Sequence, residues 1–331
     1  MKKILGIGNA LVDVMTLIKD DNILVKFSLP KGSMQLVDQE RSNLIKSETS
    51  NYKRTFSPGG SAANTIHGLA MIGSPTGFIG SIGKDDTGDV FENEMKQAGV
   101  KTMLFRRNSI TGTAVALVSK NRERTFATHL GAAVDLNANE ITPDLFEDFN
   151  ILYLEGYLIN NLPLVESACK IAKEKNLTIA LDLASYNVVE TYINDFRYIV
   201  TNYIDIIFAN EDESKVFTGL DPEEAVRKLS EYCRIAIVKI GKAGSWLKMG
   251  DEMIKVDSLP VNCIDTTGAG DLYASGFLYG YANNLSLEKC GILGSMLAGN
   301  VIEVVGAKIK VEKWHAIRKY VSLLTRQRSH E

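Results

Sequence analysis

The chain has 331 residues, 45% of them hydrophobic, with 37 basic and 40 acidic side chains and a net charge of −3 at neutral pH. That is enough apolar material for a large core, and although the length alone suggests two domains, α/β enzymes of this size often form one. The balanced charge excludes a basic surface for nucleic acid or an anionic membrane, and no apolar stretch reaches the roughly 18 residues of a membrane span. The four cysteines, Cys169, Cys233, Cys263 and Cys290, are too far apart for a CxxC pair or a metal knuckle. Buried free thiols in a reducing cytoplasm are the expectation. Arg318, Lys319, Arg326 and Arg328 read as the solvated last turn of a helix.

In chain order, the first element is the apolar run Lys3–Gly8. Lys2 and Lys3 imitate the start of a signal peptide, but Asn9 and Asp13 interrupt the run and no small-residue cleavage site follows, so it reads as a buried strand. Residues 14–57 are polar and mixed. Residues 111–129 alternate, with Thr113, Val115 and Leu117 on one face, a turn at Lys120–Glu123, then Phe126 and Thr128. This predicts a hairpin of half-buried strands. Together the two segments predict a small β-sheet standing apart as a lid, whose exposed edges invite homodimerisation. Four more short apolar runs follow, at Ile151–Leu154, Thr178–Leu181, Ile206–Ala209 and Ile235–Ile240, each reading as a strand buried on both faces of a parallel sheet. Helical patterns separate them. Pro163–Lys175 puts Leu164, Ala168, Ile171 and Ala172 on one face, and Asp221–Cys233 opens with Asp221, Pro222 and Glu224, a helix start signal. The alternation predicts one doubly wound, mainly parallel α/β domain over residues 1–331, with the lid at about 14–57 and 111–129.

The sharpest chemical signal is Asp265-Thr266-Thr267-Gly268-Ala269-Gly270-Asp271, leading into a helical pattern. Gly268, Ala269 and Gly270 let backbone amides converge at a helix N-terminus, where an anion is favoured. A transferring phosphoryl group needs such a hole for its peripheral oxygens. A carboxylate beside it repels phosphate, so Asp271 needs another reason to be there. Accepting the proton of an attacking hydroxyl supplies one. Gly276 and Gly280, one helical turn apart, and Gly291, Gly294, Ser295, Ala298 and Gly299 further on, indicate closely approaching helices.

Three further segments carry chemistry. In Pro58-Gly59-Gly60-Ser61-Ala62-Ala63-Asn64 a glycine pair lets backbone approach a ligand, with Asn64 in the first turns of the next helix. In Gly8-Asn9-Ala10-Leu11-Val12-Asp13, Asp13 can accept from two vicinal hydroxyls. This segment is a near miss to GxGxxG, with Leu11 in the third glycine's place and no acid at the ribose position, which argues against a dinucleotide fold. In Asn210-Glu211-Asp212-Glu213, oxygens at a strand end can hold the waters of Mg²⁺, although such a cluster is more often a plain helix start. There is no Walker A sequence, which excludes a P-loop kinase.

Taken together, PGGSAANT at 58–65, DTTGAGDLYASGFL at 265–278 and Gly80–Gly88 resemble the ribokinase-like carbohydrate kinase family, also called PfkB, along nearly the whole chain and in the family's order. The resemblance implies an ATP-dependent kinase in which Asp271 is the base and Gly268, Ala269 and Gly270 form the anion hole. It assigns Asn9, Asp13, Gly59, Gly60 and Asn64 to the acceptor, and Asn210 and Glu213 to Mg²⁺ through water. Asp265 and Thr267 match positions that hold a monovalent cation, usually K⁺. Lys239, Gly241, Gly244 and Asn300 fall on the ATP side. The family often has Thr where Lys239 stands, Phe where Tyr273 stands, and an Asp-Pro-Asn segment where this chain reads Asp182-Leu183-Ala184-Ser185.

Within the family, Leu29–Met34 and Arg124–Ala133 are similar to adenosine kinases. A nucleoside acceptor needs a slot for its flat base, and Leu36, Phe126, Leu130 and Tyr157 are candidate walls. A free sugar is the alternative acceptor. A sugar phosphate needs cations, for which Arg106, Arg107 and Arg124 are candidates. A non-catalytic ligand-binding relative is the rival of another class, and it is expected to have lost Asp271 or the glycines. The partners expected are therefore a small sugar or nucleoside and ATP, with no nucleic acid and no membrane.

Overall fold

The computed structural model describes residues 1–121 and 123–326, and of Thr325 and Arg326 only the helical backbone. In chain order the strands are β1 (Ile4–Ile7), β2 (Leu11–Leu17), β3 (Met34–Leu36), β4 (Arg54–Gly59), β5 (Thr76–Gly83), β6 (Lys101–Arg107), β7 (Thr111–Val118), β8 (Arg124–Gly131), β9 (Ile151–Glu155), β10 (Thr178–Asp182), β11 (Ile206–Asn210), β12 (Ile235–Lys239), β13 (Ser245–Met249) and β14 (Glu252–Val256). Nine form the main sheet in the order β14-β13-β12-β11-β10-β9-β1-β5-β6. All its pairs are parallel except the antiparallel rim of β12, β13 and β14.

All five apolar runs read from the sequence are strands of this sheet, and the helices that follow them cover both faces. Alternation within a strand divides the core in two. Ile151 and Tyr153 of β9 point to one layer, while Leu152 and Leu154 point to the other. The helix Leu162–Glu174 matches its expectation within a residue and is capped by Asn161, whose side chain accepts from Leu164 N–H. The helix begun at Pro222 ends at Leu229, four residues short of Cys233. The helices Ala269–Ala282 and Leu287–Val301 approach closely, as their glycines indicated. A Cβ on Gly276 would lie 2.2 Å from the Leu293 carbonyl oxygen, and one on Gly294 would lie 2.9 Å from the Tyr273 ring. At that ring, the Tyr273 hydroxyl meets Ser245 Oγ at 2.7 Å, so the polar atom that Phe would lack has a buried partner.

The small sheet has the order β3-β8-β7-β2-β4 and is wider than the segments 14–57 and 111–129, because β2 begins at Leu11, β4 ends at Gly59 and β8 runs on to Gly131. Its central strand β7 is buried along its whole length, not half-buried. One face carries Val14, Val115, Leu117 and Ala127 onto a cluster with Leu24, Phe27 and Ile45 from the helices Asn22–Lys26 and Gln39–Glu48. The register places Asp13, Ala114 and Thr128 in one row of the other face, then Met15, Ala116 and Phe126, then Leu17, Val118 and Arg124. Asp13 and Arg124 therefore look out from the same face.

Two smaller expectations change. Cys263 is exposed, whereas Cys169 and Cys290 are buried and all four thiols are free. Arg318 and Lys319 lie in the second turn of the helix Lys313–Arg326 rather than in its last, because the helix continues past them; Arg328 lies outside the described residues. Among the described residues no helix is long and apolar enough to cross a membrane.

Candidate active site

Parallel strands deliver their carboxyl ends to one edge of a sheet, and at five of them a polar residue closes or follows the strand. Asn9 follows β1, and Glu155, Asp182, Asn210 and Lys239 close β9, β10, β11 and β12. Above this edge the helix Ala269–Ala282 begins. Gly268 is its N-cap, with φ 74°, and a Cβ there would lie 2.8 Å from Ala307 Cα, so both conformation and space require glycine. The Ala269 amide turns back onto the Thr266 carbonyl (3.1 Å). Among the described residues the amides of Gly268, Gly270 and Asp271 have no protein acceptor. These amides, rather than that of Ala269, point the helix dipole at an incoming anion.

The Asp271 carboxylate is held from the facing helix Ser61–Met71. Ser61 Oγ donates to one oxygen at 2.7 Å and Asn64 Nδ2 to the other at 2.9 Å. Thr65 Oγ1 reaches the Asp271 carbonyl, and Ser275 Oγ reaches the Thr65 carbonyl, stapling the two helices together. Burial pushes the Asp271 carboxyl up to about 6, while the hydrogen bonds from Asn64 and Ser61 work the other way. A base that ionises near 6 is largely deprotonated at neutral pH yet basic enough to take a proton.

Asp13 faces this carboxylate from the small sheet. Burial first, and then the Asp271 charge, raise its carboxyl to about 7. Gly59 leaves room for it, since a Cβ would lie 2.2 Å from Asp13 Oδ1, and Gly60 turns the chain at φ 97° past the Asn9 carbonyl. Glu155, which no motif singled out, ties this corner together. Its buried carboxylate accepts from Asn9 N (3.0 Å), Asn9 Nδ2 (2.6 Å) and Ala62 N (2.8 Å), and burial lifts it to about 7. An acid closing an otherwise apolar strand is the signal that could have found Glu155 and Asp182.

On the opposite side, Lys239 Nζ donates to Asp182 at 2.8 Å and lies 3.1 Å from where a Cβ of Gly270 would be, so its ammonium borders the anion hole. Burial disfavours that charge, but Asp182 and Glu213 outweigh it and raise the pKa. Gly241 and Gly244 shape the turn between β12 and β13, and Asn300 donates from Nδ2 to the Met296 carbonyl of its own helix. Asn210 and Glu213 bond reciprocally as a capping box: Glu213 N–H donates to Asn210 Oδ1, and Asn210 N and Nδ2 donate to the two Glu213 oxygens at 2.8 and 2.7 Å. Each carboxylate oxygen keeps a lone pair, which fits the water shell of Mg²⁺. Among the described residues no three or more His, Cys, Asp or Glu side chains gather to chelate a metal directly.

The pair assigned to a monovalent cation does not stand open. Arg124, on β8, ion-pairs with Asp265 and donates from Nη1 to Thr267 Oγ1. Asp265 also accepts from Thr267 N (3.0 Å) and Gly306 N (2.7 Å). Tyr157 lies at the body end of the cleft. It bonds Ser185, and burial pushes its hydroxyl up to about 12, with Asp271, Glu155 and Glu213 nearby adding to the rise. It is not among the residues lining a cavity of about 340 Å³ formed by Leu36, Thr128, Leu130, Val134 and their neighbours. The four candidate walls are therefore not brought into one slot.

A doubly wound fold that sets a buried carboxylate beside a glycine-lined helix N-terminus defines a phosphotransferase with an alcohol acceptor. The chain belongs to the pfkB family of carbohydrate kinases, whose family model matches residues 33–314. It is an ATP-dependent sugar or nucleoside kinase. Three relatives illustrate its surroundings. An uncharacterised sugar kinase of Archaeoglobus fulgidus is 30% identical over 73% of this chain and 96% of its own. A 5-dehydro-2-deoxygluconokinase of Clostridium beijerinckii is 28% identical over 83% and 86%. The solved adenosine kinase of Sinorhizobium meliloti is 31% identical with a TM-score of 0.88, over 96% of this chain and 99% of that one.

Two outcomes are expected from this geometry. Asp271→Asn keeps the shape and removes the base, so kcat falls by roughly 10²–10⁴-fold; turnover near the wild-type rate in steady-state assays would show that another group takes the proton. The expectation that Asp271 is the base, active only when ionised, predicts that kcat/KM falls as pH drops through about 6. Ser61→Ala removes a bond that favours the ionised form, so this acidic limb moves to higher pH. A limb that stays in place, or moves to lower pH, would separate it from Asp271.

Proposed function

We propose that this kinase transfers the γ-phosphoryl group of ATP to the hydroxymethyl of a neutral furanose acceptor, that the acceptor is a nucleoside such as adenosine, and that the small sheet is its lid. The observation that carries the neutral acceptor is the state of the nearby cations. Arg106 pairs with Asp89 and Glu92, Arg107 with Glu140, Arg124 with Asp265 and Lys308 with Glu94. A second phosphate on the acceptor would have to break one of these pairs, whereas the Asp13 carboxylate suits hydroxyl donors. The cavity at Leu36, Thr128 and Leu130 supports the base. Thr128 lies in the same row as Asp13 two strands away, about 10 Å at the usual spacing, a distance that a nucleoside bridges from ribose to base.

In this reading Asp13 accepts from the ring hydroxyls, and the hydroxymethyl points at Asp271. As the oxygen attacks, Asp271 accepts its proton. The amides of Gly268, Gly270 and Asp271 hold the phosphoryl oxygens, and the Lys239 ammonium adds positive charge beside them. Glu213 and Asn210 would hold Mg²⁺ through its waters, and the bound ion would supply further charge neutralisation on the phosphates. Gly241, Gly244 and Asn300 take the nucleotide's base and ribose. The sugar-kinase relatives favour a second reading, a free sugar bound at the same Asp13 end.

The test is kcat/KM for adenosine, ribose, fructose and a fructose phosphate, with Leu130→Ala alongside. Contact of a base with the cavity walls is worth on the order of 1–3 kcal/mol, so adenosine is expected to lead ribose by about tenfold or more. Leu130→Ala is expected to lower adenosine turnover selectively. A preference for ribose or fructose would replace the nucleoside with a free sugar, and a preference for the sugar phosphate would overturn the neutral acceptor.

A further inference from the structure

Arg124 crosses from the small sheet into the body of the molecule. Its side chain is 6% exposed and its partner Asp265 is 7% exposed. Buried charge needs a counter-charge, and Arg124 has that of Asp265 at its head, with the Asp13 charge also favouring its ionised form. The Asp265 carboxylate also accepts the amides of Thr267 and Gly306, so its oxygens face donors on several sides, and the Thr267 hydroxyl already accepts from Arg124. A monovalent ion placed on the same oxygens would sit against a guanidinium that stays protonated, with like charges close together in a dry site.

We propose that Arg124 is a built-in cation, supplying at Asp265 and Thr267 the positive charge that resemblance assigns to a monovalent ion, so that this kinase works without K⁺. The position gives the charge a task. Asp265 opens the turn that ends in the anion hole. It fixes the Thr267 amide two residues on, and through Gly306 it fixes the loop whose Ala307 packs against Gly268. Neutralising Asp265 therefore holds the turn in the shape that aims the Gly268, Gly270 and Asp271 amides. Because Arg124 belongs to β8, the small sheet itself brings the charge that completes the phosphate-binding turn. The inference concerns the phosphoryl side only and holds whichever acceptor is used.

The test compares phosphotransfer rate and thermal unfolding of the wild type in potassium, sodium and N-methylglucamine chloride at equal ionic strength, then repeats both for Arg124→Ala and Arg124→Lys. The wild type is expected to vary by less than about twofold in rate, with the same Tm in each salt. Arg124→Ala is expected to lose roughly tenfold or more in kcat, as an uncompensated buried carboxylate disturbs the turn, and to regain part of the rate and of its Tm on adding K⁺ or guanidinium. Arg124→Lys keeps the charge and is expected to remain insensitive to K⁺. Strong activation of the wild type by K⁺ would overturn the proposal. So would an Arg124→Ala enzyme whose KM for ATP rises with no response of rate or Tm to K⁺ or guanidinium, which would place the guanidinium on the nucleotide instead. If Arg124→Ala does not fold in any salt, the wild type and Arg124→Lys still decide the question through their response to K⁺.

Discussion

The active cleft is built around a concentration of buried negative charge. Asp13, Glu155, Asp182, Glu213 and Asp271 come from five separate elements and converge where the parallel strands end. Removing one carboxylate from water is expensive, and placing several together adds repulsion. The surrounding design answers this group by group. Glu155 takes three donors from Asn9 and Ala62, Glu213 takes the Asn210 capping box, Asp182 takes the Lys239 ammonium, and Asp271 takes Ser61 and Asn64. For Asp13 the neighbouring charges of Lys308 and Arg124 give only partial relief. Asp13, the group least compensated by hydrogen bonds among the described residues, is the one that the proposed reading assigns to the acceptor, whose hydroxyls would provide the missing donors.

The same charge explains the traffic between the two sheets. Asp13 and Arg124 stand on one face of the small sheet, one acidic and one basic, and each meets a different part of the body. Asp13 meets the field of Asp271, and Arg124 meets Asp265 at the start of the anion-hole turn. In the proposed reading the small sheet would thus bear on both reactants, with a hydrogen-bond acceptor on the hydroxyl side and a positive charge on the phosphoryl side. Its other face is backed by the apolar cluster of Val14, Val115, Leu117 and Ile45.

Much of this was legible in the sequence, for identifiable reasons. Strands buried on both faces read as short apolar runs, so β1, β9, β10, β11 and β12 stood out, as did the glycines between the two packed helices. β5 did not, because Gly77 and Gly80 interrupt its pattern; the rings of Phe149 and Phe78 fill the space their side chains would take. The rim strands β13 and β14 were missed because they are partly exposed and lack a continuous apolar run. Asp271 was visible through its heptapeptide, in which local glycine geometry carries the meaning. Its partners were less so, because Ser61 lies 210 residues away and the contact exists only once two helices pack. Glu155 and the Lys239–Asp182 bond depend likewise on the register of strands far apart in the chain. The Arg124 ion pair joins a strand of the small sheet to the turn that precedes the helix Ala269–Ala282, and no local spacing encodes it.

The central claim is that burial holds Asp271, Asp13 and Glu155 above the usual carboxylate range, with the Asp271 charge adding to the rise at Asp13 and Glu155. The direct measurement is an NMR titration of the protein labelled with ¹³C at the Asp and Glu side-chain carboxyls, assigned by single substitutions. Titration of Asp271 near 6 and of Asp13 and Glu155 near 7, with the Asp13 transition moving down when Asp271 is replaced by Asn, is the predicted result. Ordinary titration of all three near pH 4, with Asp13 indifferent to the loss of Asp271, would contradict it.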